Sequence, residues 1–142
     1  MLLFWTMFAA MLLAGERIFG KLATNYGNPV YGLLLMQAAM VVFGVLNLIF
    51  SGYVLKQPLE FNIPARGILF FLLAGLVVGA FDFLMLVVFK GGATASYFTP
   101  LVAGGQIVFA MLLGMLFLGE SLTGLQIAGA VAIVIGVVLF NL

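Results

Sequence analysis

Two acidic side chains, Glu16 and Asp82, lie inside long apolar stretches, and Arg17 directly follows the first. An ionised carboxylate inside a bilayer is unfavourable unless it is paired, protonated or hydrated, so it usually faces a bundle interior and marks a pathway. We therefore expect one of these carboxylates to bind a proton or cation, with Arg17 as its electrostatic partner. Two alternatives remain: Arg17 neutralises Asp82 or Glu16 in a buried ion pair that only fixes packing, or Glu16 and Arg17 reach the headgroups.

The residue inventory excludes most other chemistry. The chain has no cysteine and no histidine, which removes disulfides, thiolate nucleophiles, histidine bases and most transition-metal sites. No nucleophile has a base beside it and no cofactor motif is visible. We predict that the chain is not an enzyme and that it binds neither a metal nor a cofactor.

The composition indicates a membrane protein. Of 142 residues, 66% are hydrophobic and only 6% are charged, whereas a soluble domain has about a quarter charged residues. A net charge of +1 provides no basic surface for nucleic acid. Lipid must therefore be the solvent for most of the surface, and the protein is predicted to be integral to a membrane.

Five apolar segments are long enough to cross a bilayer, which needs about 20 residues per helix. Backbone groups in lipid must be satisfied within the segment, so each is predicted to be helical. We predict an all-α protein, a single five-helix transmembrane domain over residues 1–142. Its approximate spans are 2–23, 31–50, 67–89, 94–118 and 122–140.

An odd number of spans puts the two termini on opposite faces of the membrane, here called face B (N-terminal) and face A. At about 1.5 Å per residue, Glu16 and Asp82 lie about 10–12 Å below face A. Span two and span four contribute polar side chains or a proline at a similar or greater depth: Gln37, Thr99, Pro100 and Gln106. Four predicted helices thus bring polar groups or a helix break to one region.

Backbone breakers and small residues add two further predictions. Pro100 removes a backbone hydrogen bond, and Gly104 and Gly105 follow it, so we predict a helix break, either a kink or an interruption, in span four. Broken helices near polar groups are typical of transporters. Span five carries a stripe of small residues that would permit close helix packing or a dimer contact: Gly124, Ala128, Ala132 and Gly136.

Basic residues give almost no orienting bias. Lys21 and Lys90 flank face A, with Arg17 nearer that side, whereas Lys56 and Arg66 flank face B. The positive-inside rule orients helices by such a bias. Either another feature orients the chain, or copies insert in both orientations, which is dual topology.

Spans four and five resemble the end of an EamA repeat of the drug/metabolite transporter superfamily. The resemblance rests on Phe117-Leu118-Gly119-Glu120-Ser121-Leu122, with Gln126, Gly129 and Gly136 after it. The turn from Lys90 to Ala95 is similar to the connection into the repeat's fourth helix, and Pro100 falls at its proline. Gly15 and Lys21 look like the first helix.

Most members carry two such repeats in inverted orientation, so the resemblance implies a half-size member that must pair. It implies a secondary transporter that works as an antiparallel homodimer, in a prokaryotic cytoplasmic (inner) membrane. Alternating access would move a small molecule past polar residues: Glu16, Arg17, Gln37, Asp82, Tyr97, Thr99 and Gln106. The alternatives are half of a hetero-oligomeric flippase for a lipid-linked substrate, and a non-transporting scaffold or regulatory subunit.

Overall fold

The structure, a computed structural model, describes residues 2–56 and 63–140. All regular elements in these ranges are helical, which confirms the all-α prediction. The α-helices are α1 Leu2–Ala23, α2 Pro29–Ile49, α3 Ala65–Lys90, α4 Ala95–Leu113 and α5 Gly124–Phe140.

Local sequence determines where the helices begin. α2 begins earlier than predicted because the Asn28 side chain accepts a hydrogen bond from Val30 N–H, and Pro29 suits the first helical turn. Thr94 caps α4 by accepting from the Tyr97 backbone N–H, so the helix begins one residue later than predicted. Proline and cap residues therefore shift the boundaries by one or two residues from those that hydropathy gives.

Two helices end in a wider turn that the sequence analysis did not predict. α2 continues as a π-helical turn over Phe50–Val54, and α4 continues as another over Gly114–Leu118. The second π turn stops at Gly119, whose φ of 64° lies in the left-handed region that glycine adopts without strain. A π turn is rare and usually consists of a single turn within or at the end of an α-helix.

Three helical segments in the described ranges are long and apolar enough to cross a membrane: Pro29–Val54, Ala65–Lys90 and Ala95–Leu118. α5 is equally apolar but has only 17 residues, about 25 Å at the α-helical rise. α1 has 22 residues and includes Glu16, Arg17 and Lys21. The protein is therefore an integral membrane protein, and the count of five spans remains a prediction.

The helices form two compact units. One comprises Phe19–Gly92, in which α2 packs on α3. The other comprises Met1–Ile18 with Ala93–Leu142, in which α4 packs on α5. Below they are called the α2–α3 unit and the α4–α5 unit.

The α2–α3 unit contains the three fully buried apolar side chains of the described chain. Met85, Leu86 and Phe89 of α3 are each at most 1% exposed. They pack against a glycine of α1: a Cβ at Gly20 would lie 3.2 Å from Met85 Cε and would also contact Leu86 and Phe89. On the α2 side, Gly32 lies against Leu86. Because glycine has no side chain, Gly20 and Gly32 let α1 and α2 approach α3 closely.

The structure shows no interruption of α4, and a kink at Pro100 remains a prediction. The α-helix runs through Pro100, Gly104 and Gly105 to Leu113 without interruption. Pro100 removes a single backbone donor, and the rest of the ladder persists on both sides of it. Gly104 instead serves packing, because a Cβ there would lie 2.8 Å from Val137 Cγ2 of α5. The glycine that was read as a weak point is the close-contact point of α4 and α5.

Candidate functional site

The α2–α3 unit brings two of the predicted polar residues together. Gln37 of α2 donates its side-chain amide to Asp82 Oδ2 of α3 over 3.4 Å, a long hydrogen bond. Asp82 is 6% exposed, and Gln37 is half-buried. Their sequence separation of 45 makes this a tertiary contact, as the predicted depths of the two residues suggested.

A glycine makes this contact possible. A Cβ added at Gly79, one helical turn before Asp82, would lie 3.7 Å from Gln37 Nε2. The amide therefore lies against the bare backbone of α3 while it donates to the carboxylate. Because the amide is neutral, the net charge of the Gln37–Asp82 pair is the charge of the carboxylate alone.

The α4–α5 unit holds a different polar cluster. Arg17 Nε lies 3.5 Å from Glu16 Oε2, and the two side chains are 6% and 30% exposed. The guanidinium carbon of Arg17 lies 5.8 Å from the centre of the Phe98 ring on α4. An arginine at this distance is attracted by the negative face of the ring. Arg17 thus has an acidic neighbour on its own helix and an aromatic neighbour on α4.

Charge is compensated inside this second cluster. The carboxylate and guanidinium sum to zero, and the ring stabilises the buried cation further. Such a cluster can orient a polar ligand, or it can only hold α1 against α4. The ion pair with Glu16 is one of the two pairings that the sequence left open for Arg17.

The other predicted site residues of α4 differ in accessibility. Tyr97 is 48% exposed, Gln106 is exposed, and Thr99 is half-buried. Phe98, between Tyr97 and Thr99, was not among the predicted site residues although its ring contacts Arg17. The sequence did contain a signal for Phe98, which is an aromatic residue near the membrane depth predicted for Arg17.

The small-residue stripe of α5 is open in the single chain. Its four residues, Gly124, Ala128, Ala132 and Gly136, are all exposed. A Cβ at Gly124 or Gly136 would meet nothing within 4 Å. The stripe is therefore not the surface that α5 uses to pack on α4, which includes Val137.

The described residues include no group of three or more acidic, cysteine or histidine side chains that could hold a metal ion. Comparison with family models gives one result for the whole chain: residues 1–142 match the EamA-like transporter family. No curated protein and no solved structure matches the chain.

Proposed function

Because the chain belongs to the EamA-like transporter family, we propose that it is a secondary transporter that moves a small molecule by alternating access. The observation that carries the proposal is the buried Asp82, on an apolar membrane-length helix, with the Gln37 amide as its neighbour. A carboxylate at such a position is unfavourable and is usually retained for transport of protons, ions or polar substrates.

Asp82 is the proposed coupling group. Its carboxylate can take up a proton or a cationic substrate on one side of the membrane and release it on the other. Gln37 is proposed to orient that carboxylate, because an amide can donate to the ionised form and accept from the protonated form. Glu16 is not the proposed coupling group, because it already forms an ion pair with Arg17.

The remaining polar residues are proposed to bind substrate. Arg17 and Glu16 offer a charged pair, and Tyr97, Thr99 and Gln106 of α4 offer hydroxyl and amide groups. Gln106 and Tyr97 are exposed in the single chain and are free to meet a ligand or a second chain. These roles follow from chemical type and from the predicted depth of the residues in the membrane.

We also propose that the functional unit is an antiparallel homodimer of one five-span domain, inserted in both orientations in a prokaryotic cytoplasmic membrane. Two observations support it. Basic residues are nearly balanced between the predicted faces, with Lys21 and Lys90 against Lys56 and Arg66. The exposed α5 stripe of small residues also offers a surface on which a partner helix could approach closely.

Transport is tested with purified protein in vesicles that contain a pH-sensitive dye under an imposed proton gradient. The probes are a panel of amino acids, nucleosides and small organic cations. We expect at least one probe to change the internal pH with the wild type, and that change to vanish with Asp82→Asn. Persistence in Asp82→Asn would contradict the role of Asp82, and wild-type silence across the panel would contradict the transporter proposal.

Orientation is tested with two C-terminal fusions, a fluorescent protein that matures only in the cytoplasm and a phosphatase active only outside it. Comparable signals from both fusions would support dual topology. A signal from one fusion alone would contradict the antiparallel homodimer, and a second, oppositely oriented chain would then be required.

A further inference from the structure

Two lysines cross between the C-terminal ends of α1 and α3. Lys21 of α1 donates from Nζ to the backbone carbonyl of Phe89 on α3 over 2.8 Å. Lys90 of α3 donates from Nζ to the backbone carbonyl of Thr24, directly after α1, also over 2.8 Å. Each lysine therefore satisfies a carbonyl at the end of the other helix.

These bonds complete the hydrogen bonding of the α1 end. The last carbonyls of a helix have no intrahelical donor and need other partners. The carbonyls of Gly20, Leu22 and Ala23 accept backbone N–H groups from residues 24–26. The carbonyl of Lys21 accepts the Thr24 hydroxyl over 2.7 Å, and Lys90 supplies the donor for the Thr24 carbonyl.

The two crossed hydrogen bonds lie beside the buried core of the α2–α3 unit. Phe89 is 1% exposed, and its ring centre lies 5.9 Å from Lys21 Nζ. Thr24 is also buried, at 5% exposure. Beneath them, Gly20 of α1 rests on Met85, one turn after Asp82. Buried packing and charge-assisted hydrogen bonds thus join the same two helix ends.

We propose that Lys21 and Lys90 form a crossed cap that makes the ends of α1 and α3 move as one body and fixes the axial position of Asp82 opposite Gln37. Both lysines are positioning residues that act through α3, because Asp82 lies eight residues before Lys90. Only the consequence for transport rests on the proposed function. The crossed cap itself concerns only the contacts between the two helix ends.

Because the bonds cross, each lysine is expected to stabilise the end of the other helix. A lysine in the last turn normally stabilises its own helix through the helix dipole. In a crossed cap, removing a lysine loosens the end of the other helix instead. Lys90→Met should loosen the end of α1, and Lys21→Met should loosen the end of α3.

Amide hydrogen exchange of the full chain in lipid nanodiscs tests this directly. With Lys90→Met, we expect exchange in residues 20–26 to become about ten-fold faster, the order expected for loss of a charge-assisted hydrogen bond. With Lys21→Met, the same acceleration is expected in residues 87–92. The arginine variants Lys21→Arg and Lys90→Arg keep a cationic donor and should restore protection at both ends.

Lys56→Met is the matched control, because it also removes one lysine charge. Lys56 is exposed and has no hydrogen bond or ion pair to any residue in the described ranges. It should leave both segments unchanged. Faster exchange only in the mutated lysine's own helix would overturn the crossed cap, and so would unchanged exchange in both methionine variants.

A transport readout separates positioning from stability. The methionine variants should lower the maximal rate of probe-driven proton movement, whereas the arginine variants should keep it. Equal rates in the methionine variants, with accelerated exchange, would overturn the link to Asp82 and leave the crossed cap standing. Hydrogen exchange needs no substrate, so it tests the crossed cap independently of transport. A failure of the transporter proposal would be seen separately, because no probe would then change the internal pH with the wild type.

Discussion

The two units hold carboxylates beside different kinds of side chain. In the α4–α5 unit, Glu16 lies 3.5 Å from the guanidinium of Arg17, which in turn faces the Phe98 ring. In the α2–α3 unit, Asp82 accepts from the neutral amide of Gln37. A guanidinium is therefore among the neighbours of Glu16, and a neutral amide is among those of Asp82.

This difference separates two uses of an acid inside a membrane. A carboxylate beside a guanidinium gains from staying ionised, so proton binding to it works against the ion pair. A carboxylate beside an amide can exist in both forms, because the amide has a donor and an acceptor. On this difference we base the proposal that Asp82, rather than Glu16, exchanges a proton or cation.

The largest expected effect compares the two neutral replacements. Asp82→Asn should lower probe-driven proton movement by about 100-fold or more, on the scale of a lost proton-transfer group. Glu16→Gln should weaken probe binding but keep the coupling to proton movement, because Glu16 is proposed to contact the substrate and not to exchange the proton. Initial rates in vesicles at equal protein density measure both. The opposite result, in which coupling is lost in Glu16→Gln and kept in Asp82→Asn, would mean that Glu16 is the coupling group.

Removing the cation of the α4–α5 unit should lower stability. Arg17→Met takes the ion-pair partner from Glu16, and we expect the free energy of unfolding to fall by about 1–3 kcal/mol. Adding Glu16→Gln should recover part of that loss, because the carboxylate charge is then gone as well. Thermal unfolding of the single and double variants in detergent gives the coupling energy. Strictly additive effects would show that the two residues do not interact.

Removing the amide of the α2–α3 unit should have a smaller effect. Gln37→Leu deletes one long hydrogen bond, so the free energy of unfolding should fall by about 0.5–1.5 kcal/mol. Coupled transport should persist at a reduced rate, since the Asp82 carboxylate remains. The checks are thermal unfolding and the vesicle assay on the same preparation. A complete loss of coupling would mean that Gln37 itself carries the proton or substrate.

The smallest effect is expected at the aromatic neighbour of Arg17. Phe98→Leu keeps an apolar side chain but removes the negative ring face, and we expect a loss of about 0.5–1 kcal/mol because the 5.8 Å separation is near the limit of about 6 Å for this attraction. Phe98→Tyr keeps the ring face and serves as the control. If both variants unfold at the same temperature, the ring face contributes nothing to the binding of Arg17.

Hydropathy predicted the helices well, because the bilayer requires a long apolar segment for each span. Burial of Asp82 was also foreseeable, since its depth follows from the distance to Lys90. α4 continues past Pro100 because one missing donor does not end a helix whose other bonds remain, and a kink there stays a prediction. The choice of Glu16 as the neighbour of Arg17, and the crossing of Lys21 and Lys90, depend on how helices meet. Single-chain spacing contains no such information.

The π turns at the ends of α2 and α4 bear on how this chain should be aligned with its relatives. A π turn encloses one more residue between its hydrogen-bonded groups than an α turn does. A relative with an ordinary turn at Phe50–Val54 or Gly114–Leu118 can therefore be one residue shorter there while the helix before the turn stays in phase. Single-residue gaps in an alignment belong inside these two turns, because placing such a gap in the loop before the same helix would shift every face of α2 or α4 by one residue.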